Sequence, residues 1–231
     1  MITADYSGCE LRILAELSQD PEFLRAFRND IDLHSLVATM MFGKTVSKTE
    51  NKELRQAAKA INFGLAYGMS PKGLAIQLGC PDNEAEELLE KYFQSFPSIR
   101  SFLEQSARLA ISRGYSTTIG GRRRYFDVTD IDVDRRKRGA IERKGKNSPI
   151  QGTNADMIKL ALFDLRRVLH ERGIDAMLVN TVHDEIVVEC EESIAEEVRD
   201  LVEETMRKAG EYYVKSVPIE VESSIADCWS K

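Results

Sequence analysis

The chain has 231 residues, 42% of them hydrophobic and 30% charged, with a net charge of −6. That length can bury a sizeable core and admits one large domain or two small ones. Nothing approaches the apolar run of about 20 residues that crosses a bilayer, the amino terminus lacks a signal-peptide pattern, and four scattered cysteines with three histidines argue against a disulfide framework or a zinc site, so a cytoplasmic protein with reduced thiols and no membrane contact is expected.

The charge is unevenly spread. Residues 122–146 hold ten Lys/Arg against five Asp/Glu, and residues 184–211 hold eleven Asp/Glu against three Lys/Arg. Such a division suits a protein that grips an anion locally and is solvated elsewhere, although ordinary solvated helix faces produce the same pattern.

In chain order, ITADY at 2–6 predicts a buried strand, and helical spacing follows at Leu11, Leu14 and Leu17. Short helical pieces are expected over 20–43, with Asp20-Pro21 and Asp32 as start signals. Ser47 and Glu50 have capping-box spacing, which would open a helix that Gly68 closes. Asp82 begins a further helix, broken at Pro97 and resumed to Gly114. YSTTIGGRRRYF at 115–126 reads as a hairpin turning at Gly120-Gly121. A long helical stretch from about 134 to 171 is expected to be interrupted near Ser148-Pro149. The β-rich runs MLVNTV and IVVECE put His183, Asp184 and Glu185 in a tight turn. An acidic amphipathic helix over 193–213 and a strand in VPIEVESS complete the chain. No internal repeat or low-complexity linker is present. The pattern is α+β: a mixed sheet built from strands at both ends of the chain, with a helical insertion between them.

Within ELRQAAKAINFGLAYG at 53–68, Arg55, Lys59, Phe63 and Tyr67 recur at steps of four and form one helical stripe, basic in its first half and aromatic in its second. A core-facing stripe would be apolar, and a solvated one would not carry two aromatics. Such a stripe could meet a triphosphate through Arg55 and Lys59 and stack a sugar or base on Phe63 and Tyr67; incidental spacing on a surface helix is the alternative. Asp5 ends one predicted strand and Asp184 lies between two others. Singly, each also reads as a cap or turn former. If the three strands share a sheet, the two carboxylates reach the same edge, where they could hold two Mg²⁺ ions about 4 Å apart with substrate phosphate oxygens. Phosphoryl transfer is the chemistry this suggests.

These residues carry a resemblance. DYSGCELR at 5–12 resembles the first polymerase motif of the family A DNA polymerases, RQAAKAINFGLAYG at 55–68 the second, and VHDE at 182–185 the third. RKGKNSPIQGTNAD at 143–156 is similar to the family segment ending P-I-Q-G-T-x-A-D, and the order and spacing match over essentially the whole chain. The resemblance implies a right-hand polymerase palm with a helical fingers insertion: palm at 1–11, fingers at 12–133, and the carboxy-terminal palm with its HDE hairpin at 134–231. It implies two-metal addition of dNMPs to a primer 3′-hydroxyl, with primer-template DNA and dNTP as partners.

Carried over by position, Asp5 and Asp184 are implied as metal ligands together with the Tyr6 backbone carbonyl, and Glu185 as an auxiliary acid. Glu10 is implied as the steric gate against a ribose 2′-hydroxyl. His34 is implied to touch the triphosphate beside Arg55 and Lys59, with Lys59 also the general acid for pyrophosphate. Phe63 is implied to pack on the incoming nucleotide and Tyr67 to stack beside the templating position. Arg143, Asn147, Gln151 and His183 are implied to follow the primer-template. Read without the resemblance, His34 is also a capping or half-buried histidine and Glu10 an exposed first-turn acid. Arg122–Arg124 and Arg135–Arg138 read as solvated or duplex-backbone contacts.

Two departures stand out. Gly8-Cys9 replaces the usual Gln-Ile, removing a side chain that could reach the duplex. Asp5 follows only four residues, so the thumb, the first part of the palm and the nuclease domains of the family lie outside this sequence. A second polypeptide or an upstream segment carrying the thumb and amino-terminal palm is therefore expected, with weak or no processive synthesis by this chain alone. A non-catalytic nucleic-acid-binding subunit, or an enzyme that also copies RNA, are the other readings. Intact Asp5, Asp184, Arg55 and Lys59 weigh against the former. A nucleoid or a viral replication site in a host cell is the expected setting of the polymerase.

Overall fold

The computed structural model describes residues 1–66 and 68–229. Among them, two compact units are formed: residues 1–9 with 153 onward, and residues 10–152. The elements come in the order β1 (Ile2–Tyr6), α1 (Cys9–Ser18), α2 (Pro21–Arg28), α3 (Leu33–Phe42), α4 (Lys52–Ala66), α5 (Pro71–Leu78), α6 (Asp82–Ser95), α7 (Pro97–Arg113), β2 (Tyr115–Thr117), β3 (Arg123–Tyr125), α8 (Arg135–Arg172), β4 (Ala176–Val182), β5 (Glu185–Cys190), α9 (Ala195–Tyr213) and β6 (Val221–Ile225).

The first unit is a four-stranded sheet in the order β4-β5-β1-β6, with β1 and β4 each antiparallel to β5, and β6 antiparallel to β1. The expected sheet from both ends of the chain is therefore present, and all its pairings are antiparallel. Ile2, Ala4 and Tyr6 of β1 are buried on one face, and the Tyr6 hydroxyl donates to the Met206 carbonyl of α9 at 2.6 Å, tying sheet to helix. Gly210 allows that approach, since a Cβ there would meet Ile219 at 2.8 Å. β4 and β6 are the edge strands among the described residues. A bulge at Val179 interrupts the β4 ladder, and Met177 and Val179 are exposed. β6 starts at Val221, later than the VPIEVESS run suggests, because Pro218 has no N–H to donate to a ladder.

In the second unit, α6, α7 and the β2–β3 hairpin follow the sequence expectation, with Gly114 and Gly121 in the left-handed region at the helix stop and the hairpin turn. The capping box does not form. Ser47 Oγ accepts from the N–H groups of Thr49 and Glu50 in a separate turn, and α4 starts only at Lys52, after a left-handed Asn51. Gly68 does close α4, with φ of +70°, and the carbonyl of Arg143 on α8 sits where its Cβ would be, at 2.8 Å. α5 was not foreseen, although Ser70 caps it, Pro71 starts it and Gly79 ends it; eight residues around an internal Gly73 give too little periodicity to read.

α8 also differs from expectation. It runs without a break through Pro149 for 38 residues. Proline cannot donate to the carbonyl of Gly145, four residues earlier. The hydroxyl of Ser116, buried on β2, donates to that carbonyl at 3.5 Å instead, while Arg124 reaches Ser148 Oγ and Arg122 donates to the Gly152 carbonyl at 2.8 Å. The hairpin thus supplies from outside what the helix lacks. Glycines allow the packing: a Cβ on Gly145 would meet Ala110 at 2.6 Å, and one on Gly152 would meet Thr118 at 2.5 Å. The division between the compact units falls inside α8 at 152/153, and the first half of α8 packs on α7 and the hairpin.

Ser116→Ala should leave the Gly145 carbonyl unsatisfied and cost about 1–3 kcal/mol. Pro149→Ala restores the missing N–H, so in that background the same change should cost much less. Urea unfolding of the four proteins in this cycle measures the coupling.

Candidate active site

In the sheet unit the pairing register gathers acids. Asp5 is exposed at the end of β1, directly opposite Glu185 on β5 and Glu222 on β6. Directly paired residues share a face, so three carboxylates stand in a row across three strands, an arrangement in which like charges repel. Asp184 precedes Glu185 in the turn, and its Cα can be no more than about 9 Å from that of Asp5. The turn holds His183 at φ +57°, a conformation that costs a non-glycine residue about 1 kcal/mol or more. Glu185 is only 6% exposed, and its Oε1 accepts the indole N–H of Trp229 at 2.9 Å. Glu222 accepts from Ser7 Oγ at 3.0 Å. Burial, with added repulsion from Cys9 and Asp184, pushes the Tyr6 phenol far above its ordinary pKa, so its hydroxyl remains a donor.

The donor chemistry at this edge fits Mg²⁺: hard carboxylate oxygens, with the Tyr6 carbonyl adjacent to Asp5. Among the described residues no group of three or more His, Cys, Asp or Glu is already gathered in metal-binding geometry. Gly8 lies just beyond with φ of +61°, and Cys9 is buried, its thiol 3.1 Å from Asn154 Oδ1. Gly8-Cys9 therefore sits comfortably in the strand-to-helix turn.

In the helical unit α3 and α4 pack side by side. Ala58, Ile61 and Leu65 bury one face of α4, leaving Arg55 and Phe63 half-buried and Lys59 exposed on the other. The Lys59 ammonium lies 6.0 Å from the Phe63 ring centroid, and the His34 ring 5.7 Å from it. Arg55 donates through Nε and Nη2 to Asp32 at 2.7 and 3.0 Å. Burial alone would raise Asp32; the hydrogen bonds from Arg55 and Ser35 outweigh it and hold the carboxyl down at about 2. His34 is pushed down to about 4, first by burial and then by Arg55 and Lys59, against the attraction of Asp32. At neutral pH the ring is uncharged. With Asn62 Nδ2 donating to Nδ1 at 3.0 Å, its proton resides on Nε2.

The structure thus brings His34, Arg55, Lys59 and Phe63 onto one face and Asp5, Tyr6, His183, Asp184 and Glu185 to one sheet end. Tyr67 lies outside the described residues. Glu10, in the first turn of α1, is 8% exposed, which overturns its alternative reading as a solvated helix acid. Arg143, Asn147 and Gln151 fall at four-residue steps along α8, exposed at Arg143 and half-buried at the others. Asp32, read in sequence only as a helix start, and Asn62, Glu222 and Trp229 were missed. The alternation of the last strand could have found Glu222; a tail residue such as Trp229 offers no pattern.

The model of DNA polymerase family A matches residues 1–231. The thermostable DNA polymerase I of Thermus filiformis is 44% identical over 229 residues, 99% of this chain and 27% of that protein. The DNA polymerase I of Aquifex aeolicus is 41% identical over 238 residues, 100% of this chain and 39% of that one. A solved structure, the POL domain of Pol1 from M. smegmatis in complex with DNA primer-template and dNTP, is similar with a TM-score of 0.86 at 40% identity, covering 96% of this chain and 38% of that chain. The chain belongs to DNA polymerase family A. It spans 27% of the length of the Thermus relative and 39% of the Aquifex one. No helix among the described residues is long and apolar enough to cross a membrane.

His34 binds its proton at about pH 4 in the fold, against 6.5 as the ordinary value. Between those two pH values the unfolded chain binds more protons, so stability should fall as pH drops from 6.5 to 4. A His34→Gln variant should lose this part of the slope, read from urea unfolding at stepped pH.

Proposed function

We propose that the chain carries the fingers and the carboxy-terminal palm of a template-directed DNA polymerase, adding dNMPs to a primer 3′-hydroxyl. The observation that carries this reading is the register that sets Asp5 beside the Asp184 turn. The sheet unit would be the palm. Its Asp5 and Asp184, with the Tyr6 carbonyl, would hold two Mg²⁺ ions, which when bound supply charge neutralisation and a lowered hydroxyl pKa for in-line phosphoryl transfer. Glu185 would add negative field beside them.

The helical unit would be the fingers portion. Arg55 and Lys59 bind the triphosphate, Arg55 exchanging its grip on Asp32 or offering its remaining donors, and Lys59 hands a proton to departing pyrophosphate. His34, neutral with its proton on Nε2, donates a hydrogen bond to a phosphate oxygen without adding charge. Phe63 gives the sugar and base a flat apolar wall, and Tyr67 stacks beside the template. Glu10 excludes a 2′-hydroxyl. Arg143, Asn147 and Gln151, with His183, track the primer-template along the minor groove, whose acceptors are alike for all base pairs. A second polypeptide or upstream segment would supply the thumb and the rest of the palm.

Binding tests this without demanding turnover. Asp5→Asn and Asp184→Asn should each abolish Mn²⁺ binding, followed by the electron paramagnetic resonance of free Mn²⁺. Arg55→Ala should leave Mn²⁺ binding intact and weaken dNTP binding about 10–100-fold, the cost of losing a charge-assisted hydrogen bond or two. Single-nucleotide primer extension should fall by orders of magnitude in either Asp variant; an unchanged rate would sink the assignment.

A further inference from the structure

Trp229 is the only tryptophan in the chain. It stands beyond the end of β6, yet its indole N–H reaches Glu185 Oε1 at 2.9 Å. The register shows what that contact requires. Ile225, the last residue of β6, is opposite Ile2, which is itself opposite Val188; Glu185 is opposite Asp5, at the other end of β1. Over the four residues after Ile225, the chain and the Trp229 side chain together therefore reach back along the sheet, from the β6 side of β1 to Glu185 on the β5 side. Ala226 N–H, donating to the Met1 carbonyl at 3.0 Å, anchors the start of this return.

The chemistry of the contact is selective. An indole N–H only donates and carries no charge. It can therefore fix a carboxylate without neutralising it, as a lysine or arginine would. Glu185 needs fixing: it is buried to 6% exposure, stands in a row with Asp5 and Glu222, and has three side-chain torsions through which to retreat from that repulsion. With Oε1 engaged by the indole, one oxygen is left to offer elsewhere.

We propose that Trp229 is a positioning residue: through Glu185 Oε1 it holds that carboxylate at the acidic end of the sheet, where its charge adds to the cation affinity of Asp5 and Asp184. This rests on the proposed function above, since it presumes a divalent cation at that end. It makes the segment that follows β6 part of the machinery.

The 231-residue chain itself carries the test. Labelled with ¹⁵N it gives a single indole N–H cross-peak, which should lie in the hydrogen-bonded range and move upfield in Glu185→Gln, where a charged acceptor becomes neutral, and again in Glu185→Ala. A peak indifferent to both changes would overturn the tether. Trp229→Phe keeps the ring and deletes only the N–H. It should weaken Mn²⁺ binding about 10–100-fold, as loss of an outer partner of a metal site does, and should have no further effect in the Glu185→Ala background. Additive losses, or Mn²⁺ binding equal to wild type, would refute the positioning role. Should Asp5→Asn abolish Mn²⁺ binding while Trp229→Phe leaves it unchanged, this inference alone fails. Should Asp5→Asn also leave it unchanged, the metal-binding reading fails, and the positioning role fails with it.

Discussion

The pairing of β1 with β5 and β6 is the constraint on which the remainder hangs. Side chains alternate faces along a strand, so slipping β1 by one residue would send Asp5 into the core and bring Tyr6 out to solvent. The alternation of Ile2, Ala4 and Tyr6 opposes that slip through burial, and the Tyr6 hydroxyl opposes it through one directed bond to α9. The core thus fixes the acids. Burying apolar groups on one face forces carboxylates into register on the other, where like charges stand side by side.

The helical unit solves the complementary electrostatic problem. Arg55 and Lys59 gather near His34, and a third positive charge there would be costly. Burial keeps His34 neutral, and Asp32 takes up the Arg55 fork. A polyanion approaching this face meets an arginine already oriented by a carboxylate that it must outcompete. The arrangement exchanges raw attraction for a preset geometry.

Much of this could be read from residues alone, and most of what could not shares one physical cause. Local signals were legible: the alternation in ITADY, the tight turn at His183-Asp184, the Gly68 and Gly114 stops, the Gly120-Gly121 hairpin. The spacing of Arg55, Lys59 and Phe63 on α4 was legible too, since helical period is local. Most of what stayed hidden depends on groups distant in sequence. Pro149 reads as a helix break until Ser116 is found supplying the hydrogen bond. Ser47 and Glu50 fit a capping box until the left-handed Asn51 separates them from the helix. Asp32 resembles a cap until Arg55, a helix and a loop later, claims it. Glu10 looks solvated until packing buries it. Three of these cases turn on tertiary packing, which no pattern in the local sequence encodes, and the fourth on the left-handed backbone of Asn51.

The edge of the sheet at β4 bears on how copies of the chain meet one another. An outer strand with exposed Met177 and Val179 offers its backbone to any extended neighbour, the usual seed of cross-chain ladder growth. The bulge at Val179 spoils the even spacing of that offer, so an incoming strand can match only the few residues on one side of it before falling out of step. Among the described residues, one inserted residue thereby breaks the regular ladder on the opposite flank of the sheet from the Glu222 strand.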